Sequence, residues 1–152
     1  MKKALLLFFL ALATFVFTSC AKLDQRDELV GDYTLEIHGK MAISHGDYSE
    51  EVDIESTGLD LTITKAEEAR KVIFSGYYNC EATTLGKVII VNSMHGQAMK
   101  DGWLFDLTFE EANGMFGNGT LSFVTEINGT ATRQGVTYPL NAWIANEAYK
   151  KY

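Results

Sequence analysis

Hydrophobic and polar residues alternate along much of the chain beyond residue 28. From residue 32 to residue 43, apolar side chains occupy nearly every second position. A two-residue period places neighbouring side chains on opposite faces of an extended chain, so the pattern predicts half-buried β-strands. The same pattern predicts further strands at residues 50–54, 59–64, 103–109, 121–127 and 136–144.

The segments between these strands predict two further strands, two loops and several tight turns. Residues 71–78 and 88–91 are rich in β-branched and aromatic residues and predict two more strands. Residues 65–70 form the best helical segment of this region, but one or two helical turns are marginal in water, so a hairpin loop is predicted. Residues 93–101 predict a polar loop. Tight turns are predicted at residues 45–47, 113–114, 118–119, 128–129 and 134–135.

These elements predict an all-β fold of about eight strands. Short strands at close spacing, without crossover helices, are typical of an antiparallel meander closed as a barrel or of a two-sheet β-sandwich. We expect the first and last long strands, residues 33–43 and 138–144, to pair and close the barrel. Gly39 predicts a bend or bulge, and Pro139 predicts a bulge or a position whose missing N–H faces no partner.

The first twenty residues have a different pattern. Lys2 and Lys3 precede an unbroken apolar run over residues 4–17, and small Ser19 follows, which predicts a secretory signal peptide. The run is shorter than the roughly 20 residues that a membrane-spanning helix needs.

The end of this segment, from Phe17 to Cys20, resembles the lipobox of bacterial lipoproteins. The resemblance implies that Cys20 is lipidated, becomes the mature N-terminus and holds an exported protein on a membrane, with the outer membrane as the expected location. An ordinary signal peptide with an incidental cysteine remains the alternative. The resulting domain prediction is a signal peptide at residues 1–19, a lipidated flexible tether at 20–28, a β-barrel at 29–147 and a polar tail at 148–152.

The charge and the cysteine content of the chain argue against a nucleic-acid partner and against a disulfide. The chain contains 13 Lys and Arg and 20 Asp and Glu, and loss of Lys2 and Lys3 leaves 11 basic residues and a formal charge of −9. Nucleic-acid binding needs positive charge that neutralises phosphates, so no nucleic-acid partner is predicted for an acidic domain. With Cys20 lipidated, Cys80 has no disulfide partner, and stability is expected to come from the core.

Several segments resemble small lipocalin-like, or calycin-like, lipoproteins of unknown function that are common in Bacteroides and relatives. Residues 29–33 (Leu-Val-Gly-Asp-Tyr) open the domain as such barrels open, with Gly-x-Tyr entering the first strand. Residues 71–76, 118–127 and 128–138 look like their repeating hairpins. The resemblance implies the fold more than the function.

The sequence shows no catalytic or metal-binding motif. His38, His45 and His95 lack metal-ligand spacing, and no cation adjoins Cys80 to activate its thiol. The acidic residues of segment 50–55 lack the spacing of a calcium loop, so a solvated strand face is the favoured interpretation. No cofactor, metal or catalytic residue is predicted.

Aromatic residues are the remaining functional signal. Most should pack in the core, but Trp103, Tyr138 and Trp143 are candidate ligand-binding residues, and Trp143 is out of phase with its apolar neighbours and should face outward. The sequence therefore favours an envelope lipoprotein whose barrel binds a small apolar or glycan ligand. The alternative is an accessory subunit of an envelope complex with a solid core, and an enzyme is the least favoured class.

Overall fold

The computed structural model describes residues 24–152, and the predicted signal peptide and Cys20 lie outside the described residues. One short helix, α1 (Arg26–Leu29), precedes ten strands. The strands are β1 (Gly31–His45), β2 (Tyr48–Lys65), β3 (Lys71–Gly76), β4 (Cys80–Leu85), β5 (Val88–Val91), β6 (Met94–Lys100), β7 (Trp103–Phe109), β8 (Ala112–Gly117), β9 (Thr120–Arg133) and β10 (Val136–Lys150).

All ten strands belong to one antiparallel sheet. Its order is β10-β1-β2-β3-β4-β5-β8-β9-β7-β6, and β9 also pairs with β10. That last pairing joins eight strands into a ring, from which β7 and β6 extend on one side. The prediction of an antiparallel all-β fold is confirmed, and the described chain forms one sheet rather than the two sheets of the sandwich alternative.

The predicted pairing of the first and last long strands is also confirmed. β1 pairs with β10 from Tyr33 opposite Lys150 to Ile43 opposite Leu140. Pro139 stays within β10, opposite Thr130 of β9. The irregularity of β1 lies between Leu35 and Ile37, in its pairing with β2, and not at the predicted position 39.

The two ends of the ring differ. Helix α1, residues 66–70, the turns at 86–87 and 118–119 and the last residues of β10 lie at one end, which we call the α1 end. The turns at 46–47, 101–102 and 134–135 lie at the other, the hairpin end. β3, β4, β5 and β8 have at most six residues each. Of the ten described strands, those that reach the hairpin end are therefore β6, β7, β9, β10, β1 and β2.

The inner faces of the strands form the core. Alternating residues such as Leu35, Ile63 and Leu121 are at most 1% exposed. Three aromatic rings cross the interior of the ring, with centroids 6.4 Å apart for Phe74 and Phe123 and 5.7 Å apart for Tyr78 and Phe123. The inward-facing apolar and aromatic side chains therefore fill most of the interior between the strands.

Two of the predicted turns and one predicted loop are wrong. Residues 113–114 lie inside β8 and residues 128–129 inside β9. Gly129 serves close strand packing, because a Cβ there would lie 2.1 Å from the Asp106 carbonyl oxygen of β7. Residues 94–100 form β6, which pairs with β7 along its whole length. The predicted loop at 65–70 is confirmed for residues 66–70.

Ordered structure extends beyond both predicted domain boundaries. Within the predicted tether, the Arg26 guanidinium donates hydrogen bonds to the carbonyl oxygens of Ala66, Glu68 and Lys71 at 3.0–3.2 Å. Leu29, at the end of α1, is fully buried. Within the predicted tail, β10 continues to Lys150 because Ala148 is buried between Leu35 and Leu121. Helix α1 thus closes one end of the ring.

Candidate functional site

A small cleft lies among the inner faces of five of the strands that reach the hairpin end, β1, β2, β7, β9 and β10. Its volume is about 110 Å³. We call it the inner cleft, and it is lined by Ile37, Met41, Ile54, Tyr77, Leu107, Phe109, Ile127, Leu140, Ala142 and Ile144. Apart from the Tyr77 hydroxyl the lining side chains are apolar, so the cleft suits an apolar group.

Strand register brings the lining residues together. Met41 of β1 lies opposite Ala142 of β10, and Ala142 lies opposite Ile127 of β9. These three residues share one face because opposite residues in adjacent strands point to the same side of a sheet. Ala142 is the smallest side chain of the lining, so a larger residue at this position would fill the cleft.

Tyr77 marks the boundary between the inner cleft and solvent. It follows β3, lines the cleft and is 43% exposed. Tyr77, Leu107 and Phe109 also line a groove of about 390 Å³ that runs beside β6. The inner cleft therefore reaches the surface between the loop that follows β3 and the strand pair β6–β7.

Two of the three predicted ligand-binding residues meet at the hairpin end. The ring centroids of Trp103 and Tyr138 are 5.8 Å apart, and that of His45 lies 4.3 Å from Tyr138. The Arg133 guanidinium lies 5.4 Å from the Trp103 centroid, within the range of a cation–π contact. Neither Trp103 nor Tyr138 lines the inner cleft; Tyr138 lies one inward position beyond the cleft residue Leu140.

The third predicted residue, Trp143, is on the opposite face of the sheet. It is 46% exposed, as expected from its phase in the strand. It lies between Lys40 of β1 and Glu126 of β9, in a shallow groove of about 390 Å³. Trp143 therefore belongs to the outer surface and cannot take part in the same site as Trp103 and Tyr138.

A buried polar pair lies next to the cleft residues. The Tyr78 hydroxyl donates a hydrogen bond of 2.6 Å to Asn146 Oδ1, and Asn146 Nδ2 donates to the carbonyl oxygens of Phe123 and Ile144. Burial raises the pKa of Tyr78 far above its ordinary value, so the phenol stays protonated. The Tyr78 ring also contacts Tyr77 and Phe109, which line the cleft, so the pair fixes that side of the cleft.

The other titratable candidates lie apart. His38 points outward and is exposed, His45 is at the hairpin end, and the imidazole of His95 lies 3.3 Å from Asp106 on the outer side of β6. Burial raises the pKa of the Cys80 thiol to about 11, so it is protonated at neutral pH. Within residues 24–152, no three His, Cys, Asp or Glu side chains are grouped closely enough to hold a metal ion.

Sequence reasoning did not identify the residues that form the cleft. Ile37, Leu107 and Ile127 were expected in the core, but nothing in their spacing shows that the core is incomplete around them. Tyr77 gives a weak signal, because the Tyr77-Tyr78 pair precedes Asn79 at the end of a short strand. Both tyrosines lie in the loop after β3, where Tyr78 is buried and Tyr77 lines the cleft while staying 43% exposed.

Comparison with protein-family models, curated proteins and solved structures gives no significant match. In the described part of the chain, no helix has the length and hydropathy needed to span a membrane.

Proposed function

We propose that the protein is an exported lipoprotein, anchored through Cys20, whose ring of strands is a lipocalin-like barrel that binds one small apolar group. The inner cleft is the binding site in this proposal. The observation that carries it is an apolar cleft that reaches the surface beside a core that is otherwise filled.

The volume of the cleft limits what it can hold. Typical small-molecule pockets have about 300–1,000 Å³, whereas an apolar cavity of about 150 Å³ is enough for benzene. At about 110 Å³, the inner cleft is below both values, but it opens to the surface, so its upper limit is a small ring or a short branched chain rather than a whole lipid. Its apolar lining favours such a group over a glycan, whose hydroxyls would need buried polar partners.

The anchor sets the orientation of the site. Three residues lie between Cys20 and Asp24. A fully extended chain over these four Cα–Cα steps spans at most about 14 Å. Asp24 accepts hydrogen bonds from Arg26 at the α1 end. A lipid on Cys20 would therefore hold the α1 end near the membrane, with the hairpin end and the inner cleft directed away from it.

Benzene provides a direct test. Added to the mature domain, it should shift the methyl resonances of Ile37, Ile54 and Leu107, which line the cleft. Substitution Ala142→Leu should fill the cleft and abolish these shifts. The matched control is Ala145→Leu, because Ala145 lies on the outer face of β10 and should leave the shifts intact.

Two results would oppose this function: no methyl shift at saturating benzene, or equal shifts in Ala142→Leu. Chemical denaturation of both variants shows whether either result comes from unfolding.

The outer groove around Trp143 supports a second function, that of an accessory subunit. Large aromatic residues with exposed faces are enriched at protein interfaces, and Trp143 has one. A partner bound there should be lost in Trp143→Ala. The same variant should leave the benzene shifts intact, because Trp143 lines the outer groove and not the inner cleft.

A further inference from the structure

One edge of β2 lacks a neighbouring strand near the inner cleft. Residues 61–65 of β2 pair with β3, but over residues 48–59 β2 pairs only with β1, and no other described strand pairs there. An antiparallel strand directs its N–H and C=O groups alternately to its two sides. About half of the residues in segment 48–59 therefore present unpaired backbone groups, which are a template for an added strand.

Side chains on the inner face of β2 are buried beside β3 and more exposed where the edge of β2 is free. Leu61 and Ile63, beside β3, are at most 1% exposed, whereas Val52 is 39% exposed and Ile54 is half-buried. The four residues belong to one strand and differ in whether a second neighbouring strand is present. Burial along β2 is thus incomplete where its edge is free, and Ile54 is also where the inner cleft meets that edge.

We propose that the natural occupant is an extended polypeptide segment of another protein, which adds to the free edge of β2 as a new strand. One of its apolar side chains enters the inner cleft beside Ile54 and Tyr77. The inference rests on the proposed function, because it identifies what carries the apolar group. The backbone of the segment supplies the hydrogen bonds that β2 lacks at this edge.

The outer face of β2 selects the charge of the segment. Glu51, Asp53 and Glu55 occupy successive outward positions and are exposed. Lys40 lies 3.9 Å from Glu51, while Asp53 and Glu55 form no ion pair with a described residue. Positions two apart on one strand are about 7 Å apart, so a segment with Lys or Arg at every second position could match all three carboxylates.

The same carboxylates exclude a second copy of this chain. Antiparallel pairing of two β2 edges would bring Glu and Asp of one copy near Glu and Asp of the other, and like charges on facing strands are destabilising. Charged edges prevent sheets from pairing with their own copies. The acidic row thus rejects self-association and admits a basic partner, which selects by repulsion as well as attraction.

Ten-residue peptides test this inference on the mature domain. In one peptide Val alternates with Lys, in the second Val alternates with Glu, and in the third the Val and Lys of the first are grouped into two blocks. The alternating Lys peptide should bind at least tenfold more tightly than either of the others. It should also slow hydrogen exchange of amides within residues 48–59. The block peptide has the same charge, so it measures non-specific attraction to an acidic protein.

Charge reversal supplies the second arm of the test. The triple variant E51K, D53K and E55K should prefer the alternating Glu peptide, because these exposed residues set the preference without contributing to the core. Three results would each overturn the inference: equal binding of the alternating and block Lys peptides, the same peptide preference in the triple variant as in the original protein, or slowed exchange at β6 instead of β2.

If benzene occupies the inner cleft but no peptide binds, the proposed function stands and this inference fails. If the Lys peptide slows exchange at β2 but benzene never enters the cleft, the edge site stands and the apolar cleft fails.

Discussion

Tyr78 and Asn146 show how single polar residues are accommodated in this core. Both are at most 1% exposed, and their side chains satisfy each other and two strand carbonyl groups. Buried polar groups cost free energy unless they are hydrogen-bonded, so the two residues depend on each other. Alternation of apolar and polar residues cannot predict this pair, because Tyr78 and Asn146 are 68 residues apart.

Removing one partner should expose that dependence. Tyr78→Phe leaves Asn146 Oδ1 buried without its donor, so we expect the free energy of unfolding to fall by about 1–3 kcal/mol. The matched control is Tyr77→Phe, because Tyr77 is 43% exposed and should change stability by no more than about 0.5 kcal/mol. Urea denaturation measures both, and equal losses in the two variants would contradict the assigned role of the pair.

Strand contacts explain which parts of the fold the sequence predicted. Alternation identified β1, β7 and the core of β9, because each has one inner and one outer face. It missed β6, whose sequence Met-His-Gly-Gln-Ala-Met-Lys has no apolar period. This strand exists because β7 beside it offers a full row of backbone partners, which is a tertiary effect.

The seam between β1 and β10 depends on close packing at Gly39. A Cβ at this position would lie 1.9 Å from the Trp143 carbonyl oxygen, closer than any real contact. Gly39→Ala should therefore push the two strands apart and lower the free energy of unfolding by about 1–3 kcal/mol or more.

Gly96→Ala in β6 is the control, because no atom lies within 4 Å of a Cβ there. Thermal unfolding should show a lower midpoint for Gly39→Ala alone. Equal midpoints in the two variants would refute the close approach of β1 and β10 at this point.

At the scale of the whole molecule, the sequence predicted that the first and last long strands pair, but not that part of the β2 edge stays without a neighbouring strand. The long apolar stripes at residues 33–43 and 138–144 indicated that the first and last strands meet, and they do. The edge of β2 is free because β3 and β4 are short. The sequence does not predict where these two strands end, because the residues between Gly76 and Cys80 could form either a loop or more strand. The inner cleft also results from the short strands, so the sequence did not predict it either.

The predicted anchor also belongs to this scale. Each buried methylene of an acyl chain contributes about 0.8 kcal/mol to membrane attachment, so stable anchoring of a protein needs more than one chain. A multiply acylated Cys20 meets that need, and Cys20→Ser should release the protein from the membrane fraction into the soluble periplasmic fraction.

Cys80→Ser is the control, since Cys80 is in β4 and should have no part in attachment. Immunoblots of the two fractions measure the outcome. Retention of Cys20→Ser on membranes would argue against lipidation at this residue.

The pairing of β1 with β10 has a consequence for the order in which the chain folds as it is made. β1 is the first strand and β10 the last, with Tyr33 opposite Lys150. A chain that emerges from a ribosome or a translocation channel N-terminus first can form the β1–β2 hairpin early. One side of β1 must wait until the final fifteen residues of strand have emerged. Ring closure therefore waits until β10 has been released, and until then one edge of β1 has no neighbouring strand.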